Sequence, residues 1–271
     1  MMLDTPVREV RTIVNDSGDP GYVNRILIGT PTTGTVRVEW MAARYGQMIP
    51  CNWSMVQYMH FMNSYIPLRY QVAEAQNLIV KEAVEKDFEW VAFIEHDNVI
   101  SPDTFIRWNE YMRRGDTPVV SGLYFTRGYP SEPLVYRGRG NSYYGDWKMG
   151  DLIWCDGVPT GCLLIHCSIL REMWKDSEEY TVGGHTARRV FDTPRKGWFN
   201  ETTGQFNTNS GTSDLEWCSR VIKEGYLKKA GWGAFADEHP EYPFLVDTNI
   251  FSWHILPDGQ KFPLEMTQWQ R

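Results

Sequence analysis

The chain has 271 residues, 42% hydrophobic and 23% charged, a balance that supports one sizeable core in an ordinary globular protein. Its formal net charge of −7 counts against generic phosphate-backbone binding, which needs a clear basic excess. Five cysteines without a C-x-x-C pair argue against a disulfide framework or a structural zinc site, and fit a reducing cytoplasm.

The N-terminus "MMLDTPVREV" has no apolar h-region, and no 18-residue apolar run occurs, so a soluble cytoplasmic protein is expected. "NDSGDPGY" reads as a loop, and "RILIGT" (25–30) as a short buried strand ending at Thr30-Pro31. "QVAEAQNLIVKEAVEK" (71–86) is a helix with Val72, Ala75, Ile79 and Ala83 on one face. "WVAFIE" (90–95) is a second buried strand. "SPDTFIRWNEYMRR" (101–114) begins with Ser as N-cap, then Pro, then Asp in the first turn, a well-marked helix start. "PVVSGLYF" (118–125) is a third strand. "CLLIHCSILREMW" (162–174) is a strand turning into a helix capped by Ser168, with Cys162 and Cys167 as small buried hydrophobes. "DLEWCSRVIKEGY" (214–226) is a helix stopped by Gly225. "PFLVDTNIF" (243–251) is a late strand that leads to His254 in a loop.

Strand and helix alternate through the first half, which predicts βαβ units, a parallel sheet covered on both faces, and ligands beyond the carboxyl ends of the strands. The segments 128–150 and 176–213 fit neither period and read as long functional loops. Aromatics reach 14%, with twelve Trp. Most suit core filling, but Trp147, Trp198 and Trp253 lie in Gly-rich or polar contexts that suit stacking on a sugar ring. Basic residues pair at Arg113-Arg114, Arg137 with Arg139, Arg188-Arg189 and Arg195-Lys196, which keeps a DNA partner open although the net charge disfavours it.

Glu95-His96-Asp97 surfaces at the end of the second strand. A carboxylate-X-carboxylate turn is a hard oxygen site for Mg²⁺ or Mn²⁺, ions that keep waters and accept phosphate oxygens as further ligands. Alone it is a weak signal, since acidic turns often follow strands. Asp214 at a helix start can equally be a cap, and His254 alone an ordinary histidine.

In this order, the segments resemble the nucleotide-diphospho-sugar transferases of the GT-A fold, and most closely the family 2-like glycosyltransferases, over roughly residues 24–255. "RILIGTPTTG" resembles the first strand and nucleoside loop. "VAEAQNLIVKEAVEKDFEWVAFIEHDNVISPDTF" resembles the Asn-bearing helix, the strand and the Asp-X-Asp motif. "VVSGLYF" and "DGVPTGCLLIHCSIL" resemble the acceptor and donor-sugar strands. "SDLEWCSRVIKEGY" resembles the Glu-Asp segment bearing the base, and "FSWH" the late metal-site His. Three residues depart from the family's usual ones: Glu95 stands for the first Asp, Gln76 precedes Asn77 where Arg is frequent, and Ser213 precedes Asp214 where Glu is frequent.

The resemblance implies an α/β fold of GT-A type in a single catalytic domain, 1–271, with a mostly parallel central sheet and helices on both faces. Residues 1–23 would be an extension, 24–125 the nucleotide-sugar half, 126–255 the acceptor half and 256–271 a tail. It implies a nucleoside-diphosphate sugar donor, a UDP-sugar first, and transfer to an acceptor hydroxyl with inversion. Asp214 is then the base; Asp97, Glu95 and His254 hold Mn²⁺ or Mg²⁺; and Thr30, Pro31, Thr32, Gln76, Asn77 and His96, with Glu95 and Asp97 again, serve the donor. Gly122, Tyr124, the segment from Gly157 to Gly161, and Trp147, Trp198 or Trp253 would face sugar or acceptor. A helix turns about 200° between Asp214 and Glu216, so the two cannot share one role. A nucleotidyltransferase would carry a basic Gly-rich phosphate loop, yet "GTPTTGTVRVEW" has no lysine. A metal-dependent phosphoesterase would need more clustered carboxylates. A non-catalytic carbohydrate- or nucleotide-binding module stays open, and would tolerate loss of Asp214.

Overall fold

Among the described residues a nine-stranded mixed sheet carries the fold. The computed structural model describes residues 12–14, 20–22, 24–61, 72–138, 143–202 and 205–264, with side chains except at 12–14, 20–22, 57–61, 195–200 and 205–210. A short hairpin, β1 (Thr12–Val14) with β2 (Pro20–Tyr22), comes first. Next come β3 (Asn24–Thr32), α1 (Val38–Tyr45) and β4 (Trp53–Phe61). Helix α2 (Val72–Glu85) leads to β5 (Trp90–Ile94), β6 (Asn98–Ile100), α3 (Thr104–Arg114) and β7 (Val119–Leu123). Strands β8 (Leu152–Cys155) and β9 (Cys162–His166) precede α4 (Cys167–Asp176). Two hairpins follow, β10 (Glu179–Val182) with β11 (His185–Arg188), and β12 (Arg195–Asn200) with β13 (Gln205–Ser210). Helices α5 (Ser213–Lys223), α6 (Tyr226–Lys229) and α7 (Gly233–Glu238) then lead to β14 (Phe244–Ile255) and β15 (Lys261–Phe262).

The strand order is β15-β14-β7-β9-β5-β3-β4, with β6 and β8 also pairing on β14. Strands β4, β3, β5, β7 and β14 point one way, and β9 alone among the long strands runs against its neighbours β5 and β7. Period-2 alternation splits the core. Val91 and Phe93 face the layer of α2, α4 and α5, while Trp90, Ala92 and Ile94 face α3. This is the α/β, GT-A-like architecture the resemblance implies, a mostly parallel sheet with helices on both faces.

Helix α2 packs directly on the backbone of residue 29, which has no side chain to hold it off. A Cβ there would lie 2.4 Å from Ile79 Cγ2. Ile79 fills that space, and Gln76, one turn earlier on the same face, is brought to the sheet's carboxyl edge. Ala75, Ile79 and Ala83 are buried as expected, but Val72 is 41% exposed because it opens the helix, and Leu78 is buried instead beneath Val182 and Ala187 of the β10–β11 hairpin.

Several expectations need correction. Helix α3 starts three residues after Ser101, whose hydroxyl donates to the Phe251 carbonyl and caps nothing. The cap of α4 is the His166 imidazole, which accepts from Ser168 N, rather than Ser168. Strand β3 runs on through Pro31 to Thr32, since β4 pairs with it to that point. His254 is inside β14, not in a loop. The loop expected at 176–213 holds two hairpins, α1 and β4 had no sequence assignment, and "NDSGDPGY" lies in part outside the described residues. All five cysteines are free, with Cys162 and Cys167 fully buried. Among the described residues no helix is long and apolar enough to cross a membrane.

Candidate active site

The topology gathers chemistry at one edge. Parallel strands β3 and β5 end there, at Thr32 and Ile94, and antiparallel β9 begins there, at Cys162. The residues just outside these ends, Glu95 to Asp97 and Thr160-Gly161, therefore meet. Strand β14 shifts register between Asp247 and Phe251, leaves β7, and continues along β6, which sets His254 opposite Asn98 beside the acidic turn.

Backbone bonds fix the turn from every side. Glu95 N donates to Gly161 O at 3.1 Å, Asn98 N to Glu95 O at 3.0 Å, and Ile255 N to Asp97 O at 2.8 Å. The Trp40 indole adds a 2.8 Å bond to the Glu95 carbonyl. Gly161 permits this closeness, because a Cβ there would lie 2.4 Å from Tyr124 Oη and 2.5 Å from Asn98 Nδ2.

His254 has one nitrogen committed. Its Nδ1 lies 2.7 Å from the Phe125 carbonyl, which can only accept, so Nδ1 carries the hydrogen and Nε2 keeps its lone pair. Nε2 faces Asp97 Oδ2 at 3.8 Å, and burial lowers the imidazole pKa, favouring this neutral form. The same Asp97 oxygen meets the Arg127 guanidinium at 3.0 Å. Burial, then the nearby Asp97 and Asp214 charges, pushes the Glu95 carboxyl well above the ordinary range.

Asp214 stands in the first turn of α5. Its carboxylate accepts from Leu215 N at 2.8 Å, and the Thr160 main-chain N–H also favours its charged form, yet burial still raises its pKa. Glu216 points elsewhere, toward Arg220 at 3.6 Å and the Asp192 side, as the helical turn requires.

The remaining candidates fall into two groups. Thr30, Pro31 and Thr32 close the end of β3 next to the turn, and His96 Nε2 lies 3.3 Å from Thr33 Oγ1 while its buried Nδ1 has no partner among the described residues. Tyr124 is buried, accepts from Gly161 N at 2.7 Å, and stands edge-on to His254. Trp253 is 36% exposed on β14. The others are used within the fold. Gln76 is 0% exposed and bonded at both amide ends. Asn77 donates to Phe191 O and Tyr180 Oη and accepts from Phe191 N, so it pins the segment after β11. The space left by Gly122 is taken by Ile250 and Cys162, and that beside Gly157 by Leu215 and Tyr136. Trp147 is 7% exposed in the main apolar cluster with its indole N–H on Tyr144 O. The Trp198 side chain lies outside the described residues. Thr160 and Arg127 went unnoticed in the sequence. Thr160 sits within the quoted "DGVPTGC", but only its contacts single it out.

No protein-family model matches the chain, and no curated protein matches it. Solved structures with a distant likeness include A197 from STIV, at 14% identity and TM-score 0.48, covering 88% of this chain and 92% of that one. S. aureus TarS 1–349 in complex with UDP-GlcNAc is 13% identical with TM-score 0.33; the match covers 58% of this chain and 48% of that one. A glycosyltransferase involved in glycosylation of the major capsid of PBCV-1 is 12% identical with TM-score 0.31, covering 55% and 65%.

Proposed function

We propose that the protein transfers a sugar from a nucleoside-diphosphate donor to an acceptor hydroxyl, with inversion at the anomeric carbon and UDP-sugars as the first donors to try. The carrying observation is that Glu95, Asp97, Asp214 and His254, drawn from three separate stretches of sequence, lie at the carboxyl edge of the sheet, with Asp97 facing His254 and the Asp97 and Asp214 charges both acting on Glu95.

Asp214 acts as the base. A carboxylate whose pKa is raised by burial is a stronger proton acceptor than one in water. It takes the proton of the acceptor hydroxyl as that oxygen bonds to the anomeric carbon. The bond from that carbon to the donor phosphate oxygen breaks at the same time, and the nucleoside diphosphate leaves with the electron pair. Attack from the side opposite the leaving group inverts the centre. The acceptor class is any hydroxyl bearer, whether glycan, small molecule, protein side chain or hydroxylated DNA base.

Among the described residues no three His, Cys, Asp or Glu side chains are grouped to enclose an ion. Asp97 and the Nε2 lone pair of His254 nevertheless offer an oxygen and a nitrogen from two directions, with Glu95 two positions before Asp97. That open donor set suits Mn²⁺ or Mg²⁺, which fill their coordination from water and phosphate. A cation held there would supply charge neutralisation for the departing diphosphate. Arg127, on the same Asp97 oxygen, is a second positive charge within reach of it. Thr30, Thr32 and His96 line the donor side.

Calorimetric titration of nucleoside diphosphates with and without Mn²⁺ tests the reading, using wild type, Asp97→Asn and Asp214→Asn. Metal-dependent, base-selective binding should vanish in Asp97→Asn. Asp214→Asn should keep donor binding and lose turnover by about 10²–10⁴-fold. A folded wild type that binds no nucleotide with metal present would sink the proposal.

A further inference from the structure

The three departures from the family pattern lie far apart in sequence, yet the fold joins them in one buried chain of hydrogen bonds. Ser213 Oγ donates to Gln76 Oε1 at 2.8 Å, Gln76 Nε2 donates to Thr160 Oγ1 at 2.8 Å, and Thr160 Oγ1 donates to Glu95 Oε1 at 3.0 Å. Gln76 Nε2 can only donate, so the Thr160 hydroxyl accepts it and has its own hydrogen for Glu95. Gln76, Thr160 and Ser213 are 0%, 2% and 7% exposed, so water cannot substitute for a missing member. Thr160 also acts on the second carboxylate, since its main-chain N–H favours the charged form of Asp214. One residue therefore bonds Glu95 and acts on Asp214.

We propose that Thr160, oriented through Gln76 by Ser213, is the positioning residue of the site: it holds Glu95 by one oxygen, aims the other at the donor side, and sets the spacing between Glu95 and Asp214. The proposal rests on the reading of this edge as the transfer site. It reassigns Gln76, expected to touch the donor, to a supporting role. It also accounts for the departures as one compensated unit. A longer Glu at 95 reaches Thr160, and a neutral Gln with a neutral Ser carries the chain with no buried charge to pair.

Coupled loss and conservative rescue test it. Thr160→Val is nearly isosteric and removes the hydroxyl; Gln76→Leu breaks the relay one step back. Each should lower kcat by about 100-fold, the scale on which a small misplacement acts. The donor KM should change by no more than about threefold, since Asp97 and His254, which both variants leave in place, carry most of the ground-state binding. Thr160→Ser keeps the hydroxyl and should stay near wild type. The double variant should be no worse than the worse single one, because both cut the same chain. Losses that multiply in the double variant, or Thr160→Ser as damaged as Thr160→Val, overturn the relay.

If the wild type turns over no nucleotide sugar, the proposed function falls by itself, and crystal structures then judge the relay. In Thr160→Val the Glu95 carboxylate should leave its wild-type position while the Asn98 N–Glu95 O bond persists. An unmoved carboxylate overturns it.

Discussion

Adding one methyl group at Gly161 puts the packing beneath the site under direct test. A Cβ there would stand 2.4 Å from Tyr124 Oη, 2.5 Å from Asn98 Nδ2 and 2.7 Å from Tyr124 Cζ. Ordinary contact begins near 3.4 Å, so something must move by about 1 Å. None of the neighbours is free to do so cheaply. Tyr124 is 3% exposed and edge-on to His254, and Asn98 is 0% exposed between Asp97 and Ser252. Overpacking of this kind costs about 1–3 kcal/mol. Losing the buried bond from Gly161 N to Tyr124 Oη adds about 1–2 kcal/mol. Gly161→Ala should therefore be destabilised by about 2–5 kcal/mol. Urea unfolding followed by tryptophan fluorescence reads this as a lower midpoint at constant slope. Gly128→Ala is the control, since its Cβ would meet nothing nearer than 3.8 Å. A Gly161→Ala protein within about 0.5 kcal/mol of wild type would refute the packing argument.

Asn77→Ala removes bonds to both backbone groups of Phe191 and to Tyr180. It should cost about 2–4 kcal/mol in unfolding experiments yet leave nucleotide affinity unchanged, and a selective loss of nucleotide binding would restore Asn77 to the donor site. Arg127→Ala deletes a half-exposed cation 3.0 Å from Asp97. Mn²⁺ should then bind a few-fold tighter, as about 0.2–1 kcal/mol of competition disappears, and unchanged or weaker binding by calorimetry would contradict the arrangement. The pH dependence follows from Glu95, pushed from 4.5 up to about 8. Between those values the folded chain holds a proton that the unfolded chain lacks, so stability falls as pH rises from about 4.5 to about 8, by at most ~1.4 kcal/mol per pH unit. Glu216, raised to about 7, acts in the same direction. Urea midpoints at pH 5.5 and 7.5 should show the fall, and Glu95→Gln should reduce it; an undiminished slope would locate the effect elsewhere.

Local pattern made part of this fold legible. The apolar run at 90–94 followed by Glu-His-Asp is readable because a buried strand needs no partner information to look buried. The helix ending at Gly225 is readable because αL geometry favours glycine, and its φ is 70°. Signals were also passed over. Trp53 and Met55 alternate with the exposed Ser54 and Val56 at the start of β4, and Trp40 and Arg44 lie one turn apart on the buried face of α1. Ser101 misled because Ser-Pro-Asp suits a turn as well as a cap.

By itself the sequence determined the kind of fold, the strand end where acidic residues surface, and the residue types available to a metal and to a base. Those are matters of hydrophobic period and side-chain chemistry, carried within a few residues. Only the tertiary structure decided which residues share the site. Gln76 and Thr160 are 84 positions apart and Ser213 and Gln76 are 137 apart, so no local pattern links them. Their contact exists because Gly29 lets α2 settle against β3, because β9 runs antiparallel and starts where β5 ends, and because β14 shifts register past Asp247. A hydrogen bond is made over about 3 Å, and chain separation is bridged to that distance only by packing.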